Sequence, residues 1–228
     1  MAQPYSLLAI ISVMSVPAAF VMGFRYDAAA PWSNYAFNVA AFAVFIAIHF
    51  VMLLPGFKKA VYGTPQSTSG ERRVYVIVSI VTWILLYYVH RPVPGPALPE
   101  MFWVQFVGVC CVFAGFLMFF EGASIAFLLA FMGRPGTELS HSADASTPLM
   151  TQGSYASVRH PMYRGAMTYT FASVLIHPHA GQLVFAALVT LSFFVFIPFE
   201  ERALIRARGA EYLDYMKVVR FRIVRGVW

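Results

Sequence analysis

Charge is scarce in this sequence. Only 11% of its 228 residues are Asp, Glu, Lys or Arg, where soluble globular chains carry about 25%. Sixteen basic and ten acidic side chains cannot solvate the surface of a globule of this length. That excludes an ordinary soluble enzyme, and a disordered or fibrous chain as well. Cysteine is nearly absent: Cys110 and Cys111 stand side by side within an apolar run. Neighbouring helical cysteines point in different directions, so neither a disulfide framework nor a zinc site is expected. Internal repeats and low-complexity tracts are lacking. So is the apolar–polar alternation that a membrane-spanning strand barrel requires.

What is present is apolar: 60% hydrophobic and 17% aromatic residues, with a mean hydropathy of +0.69. A helix spanning a bilayer needs about 20 such residues. Runs at 5–24, 35–54, 74–89 and 102–132 qualify or nearly do, the last interrupted only by Glu121. The first lacks the basic leader and cleavage signal of a secretory peptide and is expected to be retained. Two further runs, 166–176 and 183–199, predict a helical hairpin with one short arm. The expectation is an all-α integral membrane protein of about six transmembrane helices. Residues 1–132 would form a four-helix region, and 133–228 a second region carrying the chemistry.

The basic residues orient this arrangement. Segments 55–73, 132–164 and 200–228 fall on one face and hold fourteen of the sixteen Lys and Arg. Arg25 and Arg91 alone fall on the other. The positive-inside rule makes the rich face cytoplasmic, with both termini on it. Trp32 and Trp103 then sit at the opposite interface. A net charge of +6 beside apolar runs points to anionic membrane lipids rather than nucleic acid. No protein partner is implied.

Two polar segments converge on the cytoplasmic face. In 153–165, Pro161 suits the first turn of a helix, where its missing N–H costs nothing. A helix N-terminus favours an anion, and Arg159 and His160 add donors beside it. Tyr163 and Gly165 follow on the first turn; Gly165 permits close approach of a ligand or another helix. In 198–215, Glu200 and Glu201 extend an apolar helix. Their i,i+3 and i,i+4 neighbours are Ala203, Leu204 and Ile205, none of them cationic. A cation must come from a ligand ammonium or from an arginine of another segment.

These residues carry a resemblance. Gly153-x-Tyr155…Val158-Arg159-His160-Pro161-x-Tyr163-x-Gly165, then Glu200-Glu201…Leu204…Gly209-x-x-Tyr212-x-x-Tyr215, resembles the isoprenylcysteine carboxyl methyltransferase and phospholipid methyltransferase superfamily. Upstream, Ile48-His49-Phe50…Lys58-Lys59…Glu71-Arg72-Arg73-x-Tyr75…Arg91-Pro92 resembles the methanethiol S-methyltransferase branch and the related NnrU-like proteins. The resemblance implies a helical bundle whose C-terminal segment closes a cofactor pocket for S-adenosylmethionine. Tyr155, Arg159, His160, Pro161, Tyr163, Gly165, Glu200 and Glu201 would bind the cofactor. Its carboxylate suits the helix N-terminus with Arg159 and His160, and its ammonium suits Glu200 or Glu201. Tyr155 and Tyr163 suit its ribose or adenine. The acceptor would be a small thiol or another lipid-soluble nucleophile, deprotonated by Glu201 or His160. Arg220 would hold an anionic acceptor.

His49, an ionisable residue within a span, is a packed helix histidine, a substrate contact or a haem ligand. The last of these is the alternative class: a haem-binding, NnrU-like isomerase or redox protein. Glu121 marks a span boundary. His177 and His179 lie across the membrane from the motif, with no further metal ligand evident.

Overall fold

The computed structural model describes residues 25–64, 69–131 and 149–228, with 69–70, 72–73, 76 and 120–131 described as helix backbone. The run at 5–24, Arg134 and most of the polar stretch 133–151 lie outside the described residues. Seven helices are described: α1 (Ser33–Leu53), α2 (Pro55–Tyr62), α3 (Ser69–Val89), α4 (Phe102–Phe131), α5 (Pro161–Ile176), α6 (Ala180–Arg208) and α7 (Ala210–Val218). A 3-10 turn, Gly153–Ala156, precedes α5. Among the described residues there is no strand, only two isolated bridges, Tyr26 with Val93 and Ala97 with His179.

Proline and glycine set several boundaries. Leu54 is extended before Pro55, which opens α2, as the ring of a following proline requires. Pro161 opens α5 in the same way after His160. Gly209, at φ +56, lets the chain turn from α6 into α7. Pro198 lies inside α6 without ending it.

Among the described residues three helical stretches are long and apolar enough to cross a membrane: Ser33–Leu53, Phe102–Phe119 within α4, and Ala180–Arg208. Ile77–Val89 is a shorter apolar stretch. Helix α5 has 16 residues, below the length of an independent span. The six-span count is therefore not reached among the described residues. Helix α4 runs on through Glu121 as one helix of 30 residues, and the side chain of Glu121 is outside the description.

Helices α4 and α5 run antiparallel and make the closest helix contact among the described residues. A Cβ on Gly115 would lie 2.5 Å from the backbone nitrogen of Tyr169, and one on Gly165 would strike the backbone of Phe119. Close backbone approach through small residues is how helices associate without help from water. Phe42, Leu86, Val112, Tyr169 and Phe185, one from each of α1, α3, α4, α5 and α6, meet in the main core. The outer face is apolar too: Trp103 is 73% exposed, Leu117 69% and Leu191 59%. Such a surface suits lipid, not water.

The two ends of the bundle differ. At one end the link 91–99 is fastened to α1. Asn34, Tyr35 and Asn38 donate to the carbonyls of Pro92, Pro94 and Arg91. His179 caps α6 by accepting from the Gln182 amide, and its ring stacks on Tyr26 with centroids 5.0 Å apart. The proposed site lies at the other end.

Candidate functional site

Glu201 sits on α6 with its side chain 4% exposed. Such a carboxylate must be paired. Three cationic or potentially cationic side chains reach it, none from its own helix. Arg159 Nε donates to Oε1 at 2.7 Å, and His160 Nε2 lies 3.2 Å from the same oxygen. Arg222 directs Nε and Nη2 to Oε2, each at 2.9 Å. The spacing left a ligand ammonium or an arginine of another segment as the source, and the chain supplies two arginines.

Arg159 has further duties. Its Nη1 donates to the carbonyls of Val219 and Arg220 at 2.8 and 2.7 Å. The Arg159 and His160 amides donate to the carbonyls of Phe221 and Arg222. The tail 219–222 is thus bonded along the approach to α5. Arg222 also lies over the Trp228 ring, 4.9 Å from its centroid, and that ring packs on Phe194 of α6 at 4.6 Å. A small apolar cluster of Leu204, Tyr212, Tyr215 and Val219 supports the tail from beneath. The Tyr215 hydroxyl donates to the Tyr155 carbonyl at 2.8 Å.

Glu200 is the accessible charge, 36% exposed. Tyr163 donates to its Oε2 at 2.9 Å, and His160 Nδ1 lies 3.7 Å from the same oxygen. The Tyr163 ring is held between His160 and Phe193. Burial, and then the charge of Glu200, push the Tyr155 phenol well above the usual tyrosine range. Burial, and then Glu201, do the same to Tyr212. Both phenols remain neutral donors at physiological pH.

The residues singled out in the sequence therefore divide. Arg159, His160, Pro161, Tyr163, Glu200 and Glu201 come together at the start of α5 and the end of α6, with Tyr155 beside them. Gly165 faces α4 rather than an open pocket. Arg220 offers its carbonyl to Arg159 while its side chain is exposed. His49 is buried on α1, its Nδ1 2.7 Å from the Phe45 carbonyl oxygen. It meets Tyr75 edge-on at 5.7 Å. Cys110 and Cys111 are free thiols. Among the described residues no cluster of three or more His, Cys, Asp or Glu could hold a metal ion. Arg222 and Trp228 are the site residues that sequence reasoning missed. Nothing in the spacing of the basic tail separates Arg222 from Arg220.

The site fits a zwitterionic amino acid. Helix α5 has no side-chain cap; Pro161 has no N–H and the His160 amide is held by the Arg222 carbonyl, which leaves the Met162 and Tyr163 amides with no carbonyl within the helix to bond. An anionic carboxylate suits them, and the exposed Glu200 suits an ammonium.

Comparison with known proteins agrees. The sequence model of the phospholipid methyltransferase family matches residues 105–210. Methanethiol S-methyltransferase 2 of Bradyrhizobium diazoefficiens is 30% identical, over 82% of this chain and 72% of its own. Methanethiol S-methyltransferase of Mycobacterium tuberculosis is 32% identical, over 80% and 75%. Protein-S-isoprenylcysteine O-methyltransferase B of Arabidopsis thaliana is 25% identical, over 70% and 80%. These relatives favour methyl transfer over the haem-binding alternative. With its apolar helices and its paired polar motifs, the chain belongs to the family of these methanethiol S-methyltransferases and is a membrane methyltransferase.

Proposed function

We propose that the protein moves a methyl group from S-adenosylmethionine to a small thiol. The observation that carries this reading is the similarity to two methanethiol S-methyltransferases over four-fifths of the chain. When bound, S-adenosylmethionine supplies an electrophilic methyl on a sulfonium. The first-turn amides of α5 meet its carboxylate, and Glu200 meets its ammonium, oriented by Tyr163. Tyr155 and Tyr163 offer hydroxyls and ring faces to the ribose and adenine.

Glu201 holds the pocket together in this reading. Both its oxygens are engaged by Arg159, His160 and Arg222, which leaves it poorly placed as a base. Transfer from a sulfonium to an anion cancels charge at the transition state, so a dry apolar site favours it. The large apolar fraction of the chain also suits an acceptor that arrives through lipid. Residues 133–228 carry the donor site, and 1–132 contribute the acceptor side. The basic bias supports an inner membrane of bacterial type, with the site on the cytoplasmic face.

Calorimetry on the detergent-purified full chain is expected to show saturable, one-site binding of S-adenosylmethionine. Methyl-labelled donor with methanethiol is expected to yield a labelled, volatile thioether. Donor binding without transfer to any small thiol, or transfer to a phospholipid or prenylcysteine instead, would overturn the reading.

A further inference from the structure

His49 has a feature that packing does not require. Its Nδ1 lies 2.7 Å from the Phe45 carbonyl oxygen, so in the neutral ring Nδ1 carries the proton. Nε2 is then left with a lone pair, and no hydrogen bond reaches it among the described residues. The ring is 8% exposed and lies on a membrane-spanning helix. A free imidazole lone pair is what a proton acceptor needs.

Its surroundings tie it to the donor site. Tyr75 of α3 meets the His49 ring edge-on at 5.7 Å. Tyr75 also lies within electrostatic reach of Glu200 and Glu71. Phe50, the next residue on α1, meets Phe196 and Phe199 on α6, with centroids 6.2 and 5.0 Å apart. These contacts hold α1 against the last turn before Glu200. The other charged groups nearby, Lys58 and Glu71, are paired at 3.3 Å and buried. His49 is therefore the neutral nitrogen base between the lipid-facing helices and the carboxylate that faces the donor.

We propose that His49 Nε2 is the general base that removes the acceptor's thiol proton, an assignment that rests on the thiol reading above. The S–H bond breaks and its proton passes to Nε2. The sulfur lone pair so released forms the new C–S bond at the methyl carbon. The electron pair of the broken bond stays on the donor's sulfur, leaving it a neutral thioether. His49 then returns its proton to solvent. Nδ1 keeps its bond to Phe45 throughout, which fixes the ring's orientation and stabilises the imidazolium form.

The test compares two acceptors in full-length protein carrying His49→Asn or His49→Gln. One acceptor is an alkanethiol, protonated at neutral pH. The other is an arylthiol with an electron-withdrawing group, already ionised. Calorimetry with S-adenosylhomocysteine checks that each variant keeps the donor site. The alkanethiol kcat is expected to fall about 100-fold or more, while arylthiol turnover stays near that of the unsubstituted protein. Equal losses with both thiols would make His49 a packing residue and overturn the proposal. So would an unchanged alkanethiol rate. Unsubstituted protein that binds donor yet methylates neither thiol overturns the thiol reading itself, an outcome distinct from these.

Discussion

At the scale of the residue, Glu201 decides the site. Removing one partner of a buried ion pair strands the other charge, at a cost of about 3–5 kcal/mol. Arg159, 6% exposed and bonded also to two tail carbonyls, is in that class. Arg159→Ala is expected to lower stability by about that amount, read by chemical unfolding in detergent. Arg222 is 30% exposed, so Arg222→Ala should cost only about 1 kcal/mol. Arg222→Lys should recover part of that, since one ammonium cannot reproduce the Nε and Nη2 pair. Equal losses for Arg159→Ala and Arg222→Ala would show that the carboxylate is not held as described. Much of this was legible in the sequence. Two glutamates without a cation three or four residues away need one from elsewhere, and Arg159 stands in the only other dense polar segment. Arg222 was not legible. Arg220 and Arg222 are equivalent in composition, and only the path of the tail over α5 points one inward.

At the scale of the element, the α4–α5 contact is the most constrained among the described helices. A methyl added at Gly165 meets backbone, which cannot swing aside. Gly165→Ala is expected to destabilise by about 1–3 kcal/mol, as overpacking does. Gly56→Ala is the control, because nothing lies within 4 Å of a Cβ there. It should be neutral or slightly stabilising, as alanine is in a helix. Thermal unfolding of the two purified variants distinguishes the sites. Apolar runs announced the helices, but their ends differ from the runs. Helix α5 begins at Pro161 and α6 continues to Arg208, well beyond residues 166 and 199. Hydropathy marks the part of a helix that meets lipid or core. Hydrogen bonding carries the same helix onward into polar sequence, and that polar extension is where the site is built.

At the scale of the whole molecule, the two ends answer to pH differently. Far from Glu201, the Asn38 amide is oriented by the Arg91 backbone, donating to its carbonyl and accepting from its N–H at 2.9 Å each. Its Nδ2 therefore faces His90 Nε2, 3.1 Å away, which must accept. Burial first, and then Arg25 and His179, push the His90 pKa down to about 4. The unfolded chain takes up that proton near pH 6.5. The contribution of neutral His90 is therefore complete above about pH 6.5 and lost as the pH falls toward 4. The melting temperature is expected to drop across that window, and His90→Gln should flatten the drop. An unchanged slope in His90→Gln would place the acid sensitivity elsewhere. At the opposite end, Arg159 and His160 are made early, Glu201 some forty residues later, and Arg222 last. Without the tail, Glu201 lacks its second arginine and Arg159 lacks the carbonyls of Val219 and Arg220. A chain cut after residue 218 would keep every described helix and lose Arg222 and the two carbonyls that hold Arg159, so the bundle and the completed polar cluster are expected to part on truncation.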